Sequence, residues 1–461
     1  MALRRLVLLA ALSVALAACA TKKPAPPVAA VVPAPPVVAV APVLQPAQAG
    51  PWRITKTEWT KADEDGFGQF VRMIAESGCT STIACMQSAA NFYHDSDPPF
   101  LFHADCAKWA YMLRAYYASK NDLPFSYVDK ISGDVAADLR YATTANLALE
   151  RHDIVDNGTG IDRVAELQAL HDKVWTATYR MDPAAQTPVE QDLYSPRIAP
   201  GSIRPGTAIY DITGHVMIVY EVTADGSILY MDAHPDETVS RGAYGPHVPK
   251  SPVTLGGGFK NFRPLKLVGA TLRADGSYIG GTVVLATNEE IPDFSLEQYS
   301  GNLADATADG PNPQFRYNNV SLNLYEYTRA AMSKGGFAFN PVYEIEVTMG
   351  SLCNDAKDGS RDADERVKSR YAALYADLSK ISDQWRQRDL RVVYHGISLR
   401  QTLTDTYAAE LSACVIAADG GRKAQYPLEK FVRRAPETDV ATLLSQIDDA
   451  AGYVSMHPVG F

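Results

Sequence analysis

Residues 204–234 read RPGTAIYDITGHVMIVYEVTADGSILYMDAH, and the fold class turns on how this stretch is taken. Arg204-Pro205-Gly206 is turn material, Thr207–Tyr210 then extends, and Gly214-His215 leads into the apolar run Val216–Val222. Thr223-Ala224-Asp225-Gly226 is a hairpin signal, after which Ile228–Asp232 returns. Short β-branched and aromatic runs divided by turn residues predict antiparallel strands, and further strands are expected to about residue 290. The turn decides which side chains share a face. A symmetric even-numbered loop puts Asp232 and His234 on the face of His215, whereas a three-residue loop with a Gly bulge reverses that face.

Working outward, Asp105-Cys106 opens a helical run that continues to Lys120 and stops at Asn121-Asp122-Leu123-Pro124. Trp109, Met112, Leu113, Tyr116 and Tyr117 follow a 3-4 spacing that predicts one buried side. Phe67, Phe70, Val71 and Ile74 give residues 52–100 a helical reading up to Pro98-Pro99. Residues 130–195 read as mostly helix and loop. The Asn-, Asp-, Gly- and Pro-rich stretch 291–320 reads as a boundary. Beyond it, residues 320–461 are expected to be mainly helical, clearest at 361–388, 398–417 and 437–451. The fold class is therefore α+β, with a helix packed on an antiparallel sheet and a helical C-terminal region.

The chain has 461 residues, 46% hydrophobic and 21% charged, enough for two or more domains with real cores. Its net charge of −10 opposes nucleic acid and anionic lipid surfaces, so no polyanionic partner is expected. Arg4 and Arg5 precede the apolar run Leu6–Ala18, the shape of a secretion signal. The run ends Leu16-Ala17-Ala18-Cys19, which resembles the lipobox of bacterial lipoproteins. That resemblance implies lipidation of Cys19 and a place on the periplasmic side of an outer membrane, with membrane contact through the lipid alone. Residues 21–50 are almost all Pro, Ala and Val and favour polyproline II. At ~3.1 Å per residue such a tether spans on the order of 90 Å.

Six cysteines occur, and an exported chain should pair its thiols. Cys19 goes to lipid, Cys79 and Cys85 flank a short Thr/Ser loop that can close locally, and Cys353 with Cys414 could join a loop to a helix. Cys106 is left over. No CxxC or HExxH occurs, and Asp355, Asp358, Asp362 and Asp364 lack calcium-loop spacing, so no metal or cofactor is expected.

A cysteine nucleophile needs a lowered thiolate pKa, a base in reach and donors aimed at the oxyanion. A helix N-terminus supplies positive potential and free N–H groups, and Cys106 heads such a helix with its own N–H as a candidate oxyanion donor. Of nine histidines, His215 is the best base, because it follows a glycine and begins an apolar strand. Asp232 or His234 would orient its ring. His94, His103, His152, His171, His247, His395 and His457 read as surface residues.

In this order, Asp105-Cys106 on a helix, Arg204–Tyr210, then Gly214-His215-Val216-Met217-Ile218-Val219 on a strand, the chain resembles the NlpC/P60 and CHAP branch of the papain-like cysteine peptidases. The resemblance covers roughly residues 90–265 and implies a papain-like core that cleaves amide bonds in cell-wall peptides. Ala107-Lys108-Trp109 stand where the NlpC/P60 pattern has Ser-Gly and an apolar residue. The 109 residues from Cys106 to His215 imply a helical insertion near 130–195. The organisation expected is a signal at 1–18, a tether at 19–51, a papain-like domain at 52–290 and a helical domain at 320–461. The function expected is an envelope-anchored cysteine hydrolase of peptidoglycan stem peptides or another envelope peptide. The alternatives are a silent binding or scaffold lipoprotein with an envelope protein partner, and a transglutaminase-like acyl transferase.

Overall fold

The computed structural model describes residues 51–94, 97–133, 144–212, 214–245, 248, 251–303, 315–317 and 320–334, with a few short segments between 393 and 427. Helix α1 (Lys61–Glu76) starts at Thr60, whose side chain accepts from the Asp63 N–H in a capping box. Helix α2 (Thr82–Met86) and a 3-10 turn at Pro99–Phe102 follow, so 52–100 holds one long helix and two short pieces rather than a continuous run. Helix α3 (Cys106–Lys120) is capped by Asp105, whose carboxylate accepts from the Lys108 N–H at 3.0 Å.

Thirteen of the fifteen residues of α3 are buried, which corrects the one-sided burial expected from its spacing. The helix is central: α1, α4 (Arg163–Lys173) and the main sheet pack around it. Even its charges are enclosed. Arg114 donates to both oxygens of Glu64, at 2.8 and 2.6 Å, with its guanidinium 3.4 Å from the Trp59 ring centre.

Strands β1 (Phe125–Ile131) and β2 (Ala148–Ile154) form an antiparallel ribbon, and α4 and the one-turn helix α5 (Thr176–Tyr179) come after it. The expected helical insertion near 130–195 is thus mixed. The mainly polar Ala148–Ile154 segment hides its strand character, because pairing with β1 rather than an apolar period holds it extended.

The main sheet contains β3 (Leu193–Tyr194), β4 (Ala208–Asp211), β5 (His215–Val222), β6 (Ile228–Ala233), β7 (Val239–Ala243) and β8 (Gly258–Phe262). Its spatial order is β3-β8-β4-β5-β6-β7, with antiparallel neighbours throughout. Side chains alternate between two cores. Tyr210, Val216, Ile218 and Met231 share one core with Phe70, Trp109 and Leu113 of α1 and α3. Ile209, Met217, Val219 and Tyr230 belong to the other.

Small hairpins β9 (Leu265–Val268) with β12 (Thr282–Leu285), and β10 (Thr271–Leu272) with β11 (Tyr278–Ile279), are followed by α6 (Glu297–Ser300), β13 (Phe315–Tyr317), β14 (Val320–Leu322) and α7 (Leu324–Met332). Phe315, Tyr325, Tyr327 and Met332 complete the second core, so α7 packs against the main sheet. Gly226, at φ +82°, makes this docking possible: a Cβ there would lie 2.1 Å from the Arg329 carbonyl oxygen. The predicted helix 398–417 is corrected at both ends, where Ile397–Ser398 and Val415–Ala417 are strands paired with Val393–Tyr394 and Gln425–Pro427. Ala409 within that segment is helical, while its remaining residues, the predicted helices at 361–388 and 437–451, Cys353, Cys414 and residues 1–50 lie outside the described residues.

Candidate active site

Helix α3 delivers Cys106 to the end of the sheet where β5 begins. The Cys106 Sγ lies 3.9 Å from the carbonyl oxygen of Gly214, and the thiol is half-buried. Gly214, at φ +106°, ends the tight turn between β4 and β5, in which its N–H donates to Asp211 O. Thr176 Oγ1 of α5 donates to the same Gly214 carbonyl at 2.9 Å, and Tyr179 Oη donates to Ala107 O at 2.8 Å. Helix α5 therefore braces both the strand end and the first turn of α3. Asp105 has capped the N–H of Lys108, and the N–H groups of Cys106 and Ala107 have no acceptor inside their helix.

His215 Nε2 donates to Asp232 Oδ2 at 2.7 Å. Cys106, whose thiol donates to Gly214 O, lies near enough to bear on the imidazole. Burial pushes His215 toward its neutral form. The negative Cys106 and the hydrogen bond that the ring donates to Asp232 outweigh that, and its pKa stands well above the ordinary histidine value. Burial alone would raise the Asp232 carboxyl. The His215 hydrogen bond and charge, the His234 charge and the Ser240 hydroxyl hold it below the ordinary carboxylate range. The raised imidazole and the lowered carboxyl make His215 and Asp232 a charged pair.

His234 is the second layer. Its ring stacks on His215 at 5.8 Å between centres and 12° between planes. Ser240 Oγ donates to Asp232 Oδ1 at 2.6 Å and, 3.0 Å from His234 Nε2, accepts from that ring. The strand register explains the grouping. Near the turn Val222 pairs with Ile228, but Tyr220 is skipped, and Val219 pairs with Tyr230 and Ile218 with Met231. Counting back sets Met217 opposite Asp232 and His215 opposite His234, on one side of the pleat. Without the bulge at Tyr220 the five-residue loop would have put Asp232 on the other side. Ser240 enters from β7, where it pairs directly with Asp232. Sequence reading missed Ser240, Thr176 and Tyr179, which carry no local signal and meet the site only through register and packing.

The β6–β7 turn is held from outside by the Cys79–Cys85 disulfide loop. Its Cα atoms are 5.0 Å apart, as the local spacing of the two cysteines predicts. Thr82 N–H donates to Glu237 O, Val239 N–H to Thr80 O, and Arg241 Nη1 to Cys79 O at 2.8 Å. His103 is bound to Glu237, His152 lies 2.8 Å from Glu166, His171 lies 3.6 Å from Asp172 and His94 is exposed, so none of them meets Cys106. His247, His395 and His457 are outside the described residues, as is Cys19. Among the described residues no group of three His, Cys, Asp or Glu side chains could hold a metal ion. No helix among them is long and apolar enough to cross a membrane. A scan against protein-family models finds no match, and searches of curated proteins and of solved structures find none.

Proposed function

We propose that this chain is a cysteine hydrolase of papain-like type that cleaves peptide amide bonds, with Cys106 as nucleophile, His215 as base and acid, and Asp232 as the residue that orients His215. The observation that carries the reading is the buried His215–Asp232 pair at the strand end where the half-buried Cys106 sulfur reaches the Gly214 carbonyl. The Cys106 thiolate attacks the amide carbon, and the negative oxygen that develops is met by the free N–H at the head of α3. His215 gives its Nδ1 proton to the leaving amine as the C–N bond breaks, which leaves a thioester on Cys106. Water then adds to the thioester carbon, His215 takes its proton, and the acid departs with the thiol restored. Asp232 stays ionised throughout and stabilises the imidazolium.

The leader and tether support an exported, lipid-anchored protein of a Gram-negative envelope. A Pro-rich arm reaching on the order of 90 Å from an outer membrane favours peptidoglycan stem peptides as substrate. Reactivity of Cys106 is the direct test. With iodoacetamide at pH 6 we expect Cys106 to alkylate at least tenfold faster than a free thiol of ordinary pKa, and His215→Ala to remove that excess. A rate that follows an ordinary thiol titration in both proteins would overturn the reading. Mass analysis of products from purified sacculi, with and without added amine, separates hydrolysis from acyl transfer and tests the substrate.

A further inference from the structure

A groove of about 530 Å³ lies between β1 and the α4–α5 connection. Its volume is that of a small-ligand site. Val128 and the half-buried Trp175 give it an apolar floor, while Asp129, Lys130, Asp172 and Lys173 line its rim. The rim thus carries two anions and two cations. Lys173 Nζ bridges to Asp129 Oδ1 at 2.9 Å, with the two side chains 47% and 30% exposed. An ion pair so exposed is weak, so both partners can exchange it for a ligand's charges at little cost.

The groove shares a wall with the candidate active site. Trp175 and Thr178 line it, while Thr176 and Tyr179 of the same helical turn hold Gly214 O and Ala107 O beside Cys106. A helix is about 10 Å across with its side chains. The groove therefore lies across that helical turn from the Cys106 end of α3.

We propose that this groove is a peptide subsite for a zwitterionic residue, one carrying both a free ammonium and a free carboxylate, across α5 from the bond that Cys106 cleaves. The inference rests on the hydrolase reading for its link to Cys106. The ligand's ammonium meets Asp129, its carboxylate meets Lys173, and its carbon skeleton lies on Trp175. A ligand with one charge satisfies one side of the rim and leaves the other facing its own ion pair.

Three peptides test it on the full chain carrying Cys106→Ala: acetyl-Ala-Ala-Lys with a free carboxylate, the same peptide amidated, and acetyl-Ala-Ala-norleucine with a free carboxylate. Calorimetry should show the first binding at least tenfold tighter than either of the others. Lys173→Gln and Asp129→Asn, each checked for an unchanged melting temperature, should erase that preference. Equal binding of the three peptides, or a preference that survives both substitutions, overturns the subsite. Wild-type turnover is read separately. Cleavage with no charge preference leaves the hydrolase standing and removes the subsite, whereas charge-selective binding with no Cys106-dependent turnover of any peptide does the reverse.

Discussion

At its C-terminal end α3 carries Lys120, whose ammonium lies 2.8 Å from Asp97 with side-chain exposures of 0% and 1%. At its N-terminal end the same helix carries Cys106, beside His215 and Asp232 with exposures of 10% and 5%. Both ends bury charge, but they close it differently. Asp97 is surrounded by donors: Lys120, the Arg163 guanidinium and Tyr116 Oη at 3.1 Å. One carboxylate there serves two cations, and neither a thiol nor an imidazole is among them. At the other end the carboxylate and imidazole are enclosed, while the sulfur stays half-buried beside unused N–H groups. A buried ion network becomes chemically useful when its last member faces an opening, and otherwise it ties elements together.

Substitution at each end should separate these roles. Cys106→Ala is expected to reduce amide hydrolysis by about 10⁴-fold or more, about 5.5 kcal/mol of transition-state stabilisation, with the melting temperature nearly unchanged. Steady-state kinetics and calorimetry of the same preparation check both halves. Asp97→Ala should do the opposite, costing about 3–5 kcal/mol in urea unfolding because Lys120 and Arg163 are left buried without their carboxylate. Its turnover per folded molecule should hold, and a loss of turnover with stability intact would break the comparison.

Asp232→Asn probes the link between structure and chemistry. It keeps the shape but removes the charge behind His215, so turnover should fall on the order of 10²-fold or more and pH 6 alkylation of Cys106 should slow. The smallest effect is in stability against pH. The raised His215 pKa contributes stability that is complete below the ordinary histidine value, near 6.5, and is lost as pH rises through the folded value. The lowered Asp232 pKa contributes stability present above about 3.9 and lost as pH falls through its folded value. Unfolding free energy should therefore decline on both sides of a central plateau. Cys106→Ala removes the largest effect that raises the His215 pKa and should flatten the alkaline decline.

Legibility in the sequence followed the range of the interaction. The hairpins around Gly214 and Asp225-Gly226, the cap at Asp105 and the local Cys79–Cys85 pair were readable because turns, caps and short loops act over a few residues. The strand at Ala148–Ile154 was not, since its side chains alternate in no useful way and β1 is its reason for being extended. Nor was the all-round burial of α3, because a 3-4 apolar stripe reports the first partner of a helix and is silent about the second and third.

The order of residues by itself determined a mixed α+β chain, a cysteine at a helix head and a histidine at a strand start. Backbone and near-neighbour side chains have those preferences whatever surrounds them. Only the tertiary structure decided that both reach one end of the sheet, that the single extra residue Tyr220 turns Asp232 toward His215, and that Ser240 and α5 brace that end. A one-residue slip in a strand reverses every side chain on it, and the packing of distant segments, which no local stretch encodes, sets the register.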